Sequence, residues 1–224
     1  GPFGDHYGYN SLTHDYPVFR VSKVLRRKDA IWPATCVGRP RQEDFFLGDH
    51  LQELLSPLFP LVMPAVRQLW SYGETGFHSL AGAVVRERYP REAVASGFRI
   101  LGEGQLSLTK FVLLTDRDVD LRDFRTTWET VLARVDWRSD LIVAGTTSQD
   151  TLDYTGPLVN RGSKGMILGL GEPRRALPER WDESAPLPDG VRRAKSYCRG
   201  CLVVEGRPYA DDKGQAARIA AFEG

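Results

Sequence analysis

Little in this 224-residue sequence is in excess, and its shortages bound what it can be. The formal net charge is only +1, so no broad basic field argues for nucleic acid as a partner. No apolar run reaches the ~18 residues of a membrane span. Three cysteines are too few for a disulfide framework. Cys198 and Cys201 form a CxxC. A structural zinc site would need a second ligand pair, and His6, His14, His50 and His78 offer no metal spacing. Reduced, partly buried thiols of a cytoplasmic protein are the expected state. There are no internal repeats. The chain opens with neither a signal peptide nor an initiator methionine, so a segment is expected to have been removed ahead of Gly1.

The residues that are present make an ordinary globular mixture, 42% apolar and 26% charged. The length fits one domain, or one domain and part of another. Residues 18–25 alternate imperfectly and are β-branched at several positions, which predicts a strand. Residues 30–37, interrupted by Pro33, predict an edge strand or a loop. A helix is expected over 43–55, with Phe46, Leu47, Leu51, Leu54 and Leu55 at helical spacing. Pro57, Pro60 and Pro64 break the stretch after it, and a domain boundary is placed near this helix. Beyond it, strands are expected at 66–72, 79–88, 110–115, 141–144 and 166–168. Helices are expected at 90–101, started by Pro90, and at 121–135. The run from Lys110 to Thr115 is a buried strand of the parallel-sheet kind. Strands alternating with helices imply an α/β sheet covered on both faces. Residues 151–165 read as loop, 177–188 as proline-rich tail and 211–222 as a terminal helix.

Three segments could carry chemistry. The acidic run Asp116-Arg117-Asp118-Val119-Asp120 comes directly after the strongest strand. It could bind metal or ribose, but Asp120 and Asp123 suit the capping of the next helix better. Arg161-Gly162-Ser163-Lys164-Gly165 sits in a glycine-flanked loop before a strand. Backbone amides and a lysine can hold a phosphate, yet the P-loop spacing is absent and a solvated turn is the simpler reading. Gly1-Pro2-Phe3-Gly4-Asp5-His6-Tyr7-Gly8-Tyr9 fixes a tight backbone path with an acid and a histidine next to each other. Such a loop can present a carboxylic acid and an imidazole to a ligand. A chain end is also the part most often disordered, and the residues alone leave the two readings even.

Several segments together resemble the UbiD family of decarboxylases. Gly1-Pro2-Phe3-Gly4-Asp5 is similar to the tail of the family's EGPFG(D/E) motif, and Gly38-Arg39-Pro40 through Glu43-Asp44 and Leu47-Gly48 to its GRPPxED…LG stretch. Glu74, Gly76, Phe77 and His78 resemble EGxFH, and Tyr89-Pro90 the YP before a helix. Thr109 to Asp123 resembles the strand and acidic loop TKfiiVvDdDVdvrD, and Arg134-Val135-Asp136 its RvDp. Asp153-Tyr154 resembles LDfasP, Gly162-Ser163-Lys164 GsKmG, and Glu179-Arg180-Trp181 the closing RxW. The matches run in order over residues 1 to about 181. The tail from Leu177, with its cysteine pair, fits poorly and is assigned no role.

The resemblance implies an α/β fold, a mixed sheet flanked by helices. The terminal strands of a split β-barrel flavin-binding domain (1–40) and a connector helix (41–60) would precede it. The α/β domain would span 61–205 and a C-terminal tail 206–224. It implies non-oxidative, reversible decarboxylation of an aromatic or α,β-unsaturated acid on prenylated FMN. Loss of carbon dioxide leaves electrons on carbon, so such an enzyme needs an electron sink and then a proton donor. Asp5 falls on the last acid of the family's Glu–Arg–Glu/Asp network and is the expected proton donor. Lys164 falls on the flavin-contacting lysine. His6, Glu43 and Leu47 would line the substrate pocket. The first network acid should stand immediately before Gly1. The network arginine, the flavin phosphate's divalent metal (Mn or Mg, with K+ as a further ion) and most flavin contacts would belong to an N-terminal half outside this chain. No metal ligand is assigned within it. The implied partners are a small carboxylic acid, that N-terminal half and further copies of the chain. A catalytic fragment, expected to be inactive alone, competes with a non-catalytic scaffold that pairs with a flavin-bearing chain. A nucleotide-binding module built on the acidic loop lacks the glycine-rich phosphate loop it would need.

Overall fold

The apolar run after Lys110 forms β3 (Phe111–Thr115), the middle strand of a five-stranded mixed sheet. β2 (Leu80–Val85) and β5 (Arg161–Gly169) run parallel to it on either side. β1 (Val66–Ser71) closes one edge antiparallel to β2, and β4 (Leu141–Ser148) the other antiparallel to β5. The computed structural model describes residues 2–222. No helix among them is long and apolar enough to cross a membrane.

Successive side chains of a strand point to opposite faces, and β3 uses both. Val112 and Leu114 join Ala81, Ala83, Met166 and Leu168 beneath α3 (Glu92–Leu101), which contributes Ala93 and Ile100. Leu113 faces the other way and packs with Val131 of α4 (Phe124–Leu132) and with Val135 just beyond it. α3 lies close on the sheet because Gly97 has no side chain. A Cβ there would stand 2.7 Å from the Met166 sulfur and 2.9 Å from a Leu114 methyl. α4 begins as its sequence predicts: Asp123 is the N-cap, its Oδ1 accepting from the Thr126 N–H at 3.2 Å. Ahead of the sheet stand α1 (Glu43–Leu55) and the single turn α2 (Phe59–Val62). Of α1 only Phe45 is buried, while Phe46, Leu47, Leu51, Leu54 and Leu55 are exposed.

The structure corrects several expectations. Residues 18–25 form no strand, while residues 30–37 take the loop alternative and not the edge strand. Phe19 is 88% and Trp32 90% exposed. A strand is stable only when a neighbour takes its backbone hydrogen bonds, and nothing among the described residues pairs with this segment. The segment 161–165 is not a loop: it is the first half of β5, so Lys164 sits in a strand paired with Ala144. Pro90 lies in the turn before α3, which starts at Glu92 behind Arg91 in the left-handed region (φ 67°). The terminal helix is shorter than expected, α5 (Gln215–Ala220).

The poorly matching tail folds into a hairpin that composition did not suggest, β6 (Arg193–Cys198) and β7 (Cys201–Glu205). Cys198 and Cys201 face each other across its turn as free thiols. Burial, then the neighbouring Cys201 and Glu129, push the Cys198 thiol up to about 11. Arg199 at the tip pairs with Glu129 of α4 at 2.7 Å, fastening the hairpin to the domain.

If β3 is the centre of the fold, its truncation must cost far more than truncation at an edge. Leu114→Ala should lower unfolding free energy by ~2–5 kcal/mol, the range for a buried leucine. Val143→Ala, on the exposed face of β4, should stay within about 0.5 kcal/mol of the parent. Urea denaturation of the two variants checks the contrast.

Candidate active site

The opening residues fold into a closed loop. Gly4 and Asn10 form an antiparallel bridge, the Asp5 N–H donates to the Tyr9 carbonyl at 3.1 Å, and the Gly8 N–H donates to the Asp5 carbonyl at 3.0 Å. Asp5 is 2% exposed. Its Oδ1 accepts from the Tyr7 N–H at 2.9 Å, while its Oδ2 is buried without a hydrogen-bond partner. The segment is therefore a packed loop and not a loose end, against the expectation that Asp5 would stand free near the chain start.

The loop docks on a turn more than a hundred residues away in sequence. Tyr7 and Tyr9 stack, and the Tyr9 ring meets Tyr154 at 5.5 Å between centroids. The Tyr9 hydroxyl donates to the Leu152 carbonyl, and the Leu12 N–H donates to the Tyr154 hydroxyl at 2.8 Å. The turn is itself rigidly tied. Gln149 donates to the Asp153 carbonyl at 2.6 Å, the Leu152 N–H donates to Asp150 Oδ1 at 3.0 Å, and the Lys110 ammonium pairs with Asp153 at 3.1 Å.

A second turn brings in His78. Gly76 (φ 75°) and Phe77 (φ 61°) are both left-handed, and the second is costly for a residue with a bulky side chain. Gly76 is required twice over, since a Cβ there would lie 2.7 Å from the Tyr7 ring and 3.2 Å from His6. The turn leaves the His78 ring edge-on to His6, 5.4 Å between centroids. His6 Nε2 lies 3.2 Å from Asp150 Oδ2. Burial holds the His78 imidazole below its ordinary value, although Asp150 works the other way. Burial alone would raise Asp150, but His6 and the Leu152 amide outweigh it and hold the carboxyl below the usual range.

His6 and His78 border a groove of about 700 Å³ between α1 and the sheet. Its walls are largely apolar, with Leu47, Leu51, Leu69, Phe77 and Leu106 prominent, and Asp44 and Glu103 are the acids of the lining. A lining that is mostly apolar with a few convergent polar groups suits a small, flat, weakly polar ligand. Among the residues singled out from sequence, His6 and Leu47 line this groove, whereas Asp5, Glu43 and Lys164 do not. Glu43 is exposed and accepts from the Cys36 N–H at 3.1 Å. Lys164 is 7% exposed, its ammonium donating to the Ser107 and Thr109 carbonyls at 2.6 and 2.8 Å. Burial lowers its pKa.

Sequence reasoning assigned no role to His78 or Asp150, and it dismissed the histidines as metal ligands. The three members of this cluster come from three distant segments, so no spacing rule links them. The available signal was local: an unusual Gly-Phe-His turn and an acid just upstream of the Asp153-Tyr154 motif.

A family model for the 3-octaprenyl-4-hydroxybenzoate carboxy-lyase C-terminal domain, UbiD_C, matches residues 45–169, more than half of the chain, and one for the Rift-related domain of the same enzyme, UbiD, matches residues 1–40. The chain belongs to the UbiD family. Among curated relatives it is 58% identical over 205 residues to an uncharacterized protein of Chlamydia trachomatis, a match covering 92% of this chain and 35% of that protein. It is 57% identical over the same length to a Chlamydia pneumoniae protein named as one subunit of a 4-hydroxybenzoate decarboxylase, again covering 92% and 35%. The chain thus spans about a third of the length of these relatives. Vanillic acid decarboxylase of Sedimentibacter hydroxybenzoicus, in its closed form, shares the fold with a TM-score of 0.62 at 20% identity, over 84% of this chain and 40% of that one. The UbiD-class enzyme HmfF of Pelotomaculum thermopropionicum, in complex with FMN, aligns with a TM-score of 0.50 at 17% identity, over 64% and 32%. The mixed sheet with its flanking helices is the architecture of UbiD-class enzymes.

Gly76→Ala tests how the two turns meet. The added methyl meets the Tyr7 ring and strains a left-handed residue, so stability should fall by ~1–3 kcal/mol. Chemical denaturation measures this, and an unchanged midpoint would mean that the opening loop does not rest on Gly76.

Proposed function

We propose that this chain supplies the proton-donor side of a UbiD-type decarboxylase active site, acting on an aromatic or α,β-unsaturated carboxylic acid. The observation that carries the proposal is Asp5 Oδ2, a buried carboxyl oxygen with no partner, in a docked loop whose next residue borders an apolar groove. A general acid must reach the carbon that has lost carbon dioxide, directly or through one water. Asp5 does not itself line the groove, so its spare oxygen would act one residue behind His6, through a water. Leu47 and the groove's other apolar residues would hold the flat acid and exclude water around the developing charge. His6 would meet the substrate's polar end.

Prenylated FMN, the cofactor carried over from the family, supplies the electron sink when bound. The residues of this chain fit only one side of such a group. The groove has no lysine or arginine in its lining, and Lys164 is already engaged by two backbone carbonyls, so no phosphate cradle is offered here. The flavin phosphate, its Mn or Mg and K+ are accordingly assigned to an N-terminal half of the same enzyme. In this reading residues 1–40 complete that half's split barrel, 41–60 connect the two, 61–205 form the α/β domain and 206–224 the tail. The uncovered apolar residues between Val18 and Trp32 and the outer face of α1 then find their burial against that half or a further copy, in a cytoplasmic homo-oligomer.

Two variants of the full-length enzyme test this. Asp5→Asn, nearly isosteric, should retain flavin while turnover falls ~10²–10⁴-fold, the usual contribution of general acid–base catalysis. Near-normal turnover would move the donor role to another residue, His6 first. Lys164→Met keeps the stem's bulk and removes the charge. If the lysine contacts flavin in the assembled enzyme, flavin content after purification should drop; unchanged flavin content with lowered stability would make Lys164 a purely structural clamp on the Ser107 and Thr109 carbonyls.

A further inference from the structure

We infer that His6, His78 and Asp150 form a binding site for one divalent first-row transition ion. One ligand atom from each lies within 4.8 Å of the others. The closest pair, His6 Nε2 and Asp150 Oδ2, stand 3.2 Å apart. Both atoms are buried, they meet as a close ion pair without good hydrogen-bond alignment, and neither has another partner. A poorly aligned pair of buried polar atoms leaves both short of a full partner. A shared cation resolves this directly. With bonds of ~2.0–2.2 Å, two ligands of one ion sit roughly 3.0–3.5 Å apart, a spacing His6 and Asp150 already have, while His78, within 4.8 Å, would close in on binding.

Local structure orients the three side chains. Asp150 Oδ1 is occupied by the Leu152 N–H, which leaves Oδ2 to face inward. The left-handed pair Gly76 and Phe77 turns His78 toward His6, and the absence of a side chain at Gly76 lets the His6 loop approach. Orientation of this kind by outer groups is what fixes metal-ligating side chains. Lys164, whose charge is felt at His78, is held by the Ser107 and Thr109 carbonyls. Two imidazoles and one carboxylate are a donor set for Zn2+, Fe2+, Co2+ or Mn2+ rather than for Mg2+ or Ca2+. Three protein ligands leave coordination positions open, and two of the ligands, His6 and His78, line the groove. The ion would there take an oxygen of an anionic ligand. These ligands are all within this chain, unlike those the family resemblance assigns to the flavin phosphate's metal. Binding is read without turnover, so the inference stands or falls separately from the decarboxylase reading.

The test uses chelator-treated protein titrated with Co2+ and followed by its visible ligand-field absorption, with Zn2+ added afterwards. One equivalent of Co2+ should bind with nitrogen–oxygen bands that Zn2+ bleaches. His78→Gln and Asp150→Asn should weaken binding by at least ~10–100-fold, the loss typical even for groups that only orient a ligand. His6→Gln, in a loop outside the sheet, gives the same reading should either of the others fail to fold. A Cys198→Ser/Cys201→Ser double variant should bind as the parent does. No ligand-field bands, equal binding in the folded His and Asp variants, or loss of binding in the cysteine double variant would each overturn the site.

Discussion

The structure around the groove depends on one contact, the docking of the opening loop on the 149–154 turn. Tyr9 makes it, stacking beside Tyr7, meeting the Tyr154 ring and donating to the Leu152 carbonyl. Without it Asp5 and His6 would have no fixed place, because residues 11–40 supply no strand or helix to anchor them. Aromatic contacts of this geometry add ~0.5–1.5 kcal/mol beyond the area they bury. That is modest against the entropy of ordering the loop, so the backbone hydrogen bonds within it and those to Leu152 and Tyr154 must share the cost.

The platform for that docking is the sheet. β3 lies between two parallel neighbours and buries both faces, which fixes the positions of Lys110 before it and of the Gly73–Phe77 turns before β2. Lys110 in turn pairs with Asp153 and holds the receiving turn against the sheet edge. The chain of dependence runs from core packing to strand position, from strand position to the two turns, and from the turns to His6, His78 and Asp150. Lys164 lies outside the groove lining, clamping the Ser107 and Thr109 carbonyls that follow Leu106.

Much of this was legible in the residues. The apolar run 110–115 and the helical spacing around 121–135 announced the sheet and α4, because hydrophobic periodicity reports local burial. The spacing over 43–55 announced α1 too, although its periodic apolar residues stand exposed in this chain. The Asp123 cap was readable for the same local reason. The features that escaped were non-local. Residues 18–25 have the composition of a strand, but composition cannot supply the neighbour that a strand needs. The Gly162-Ser163-Lys164 segment looked like a turn because glycines are frequent in turns. In the fold Gly165 is small so that the Phe111 ring can pack over β5, a Cβ there falling 2.5 Å from it. The His6–His78–Asp150 cluster is the extreme case, three residues joined only by tertiary structure. The family resemblance located Asp5 and Lys164 without revealing that one is buried in a docked loop and the other engaged by backbone carbonyls.

The claim that the opening loop is docked, and so builds the site, is tested most directly by a double-mutant cycle on Tyr9→Ala and Tyr154→Ala, read by chemical denaturation. A docked loop predicts a coupling of ~0.5–1.5 kcal/mol between the two substitutions. Strictly additive effects would contradict it and leave Asp5 and His6 without a fixed position beside the groove.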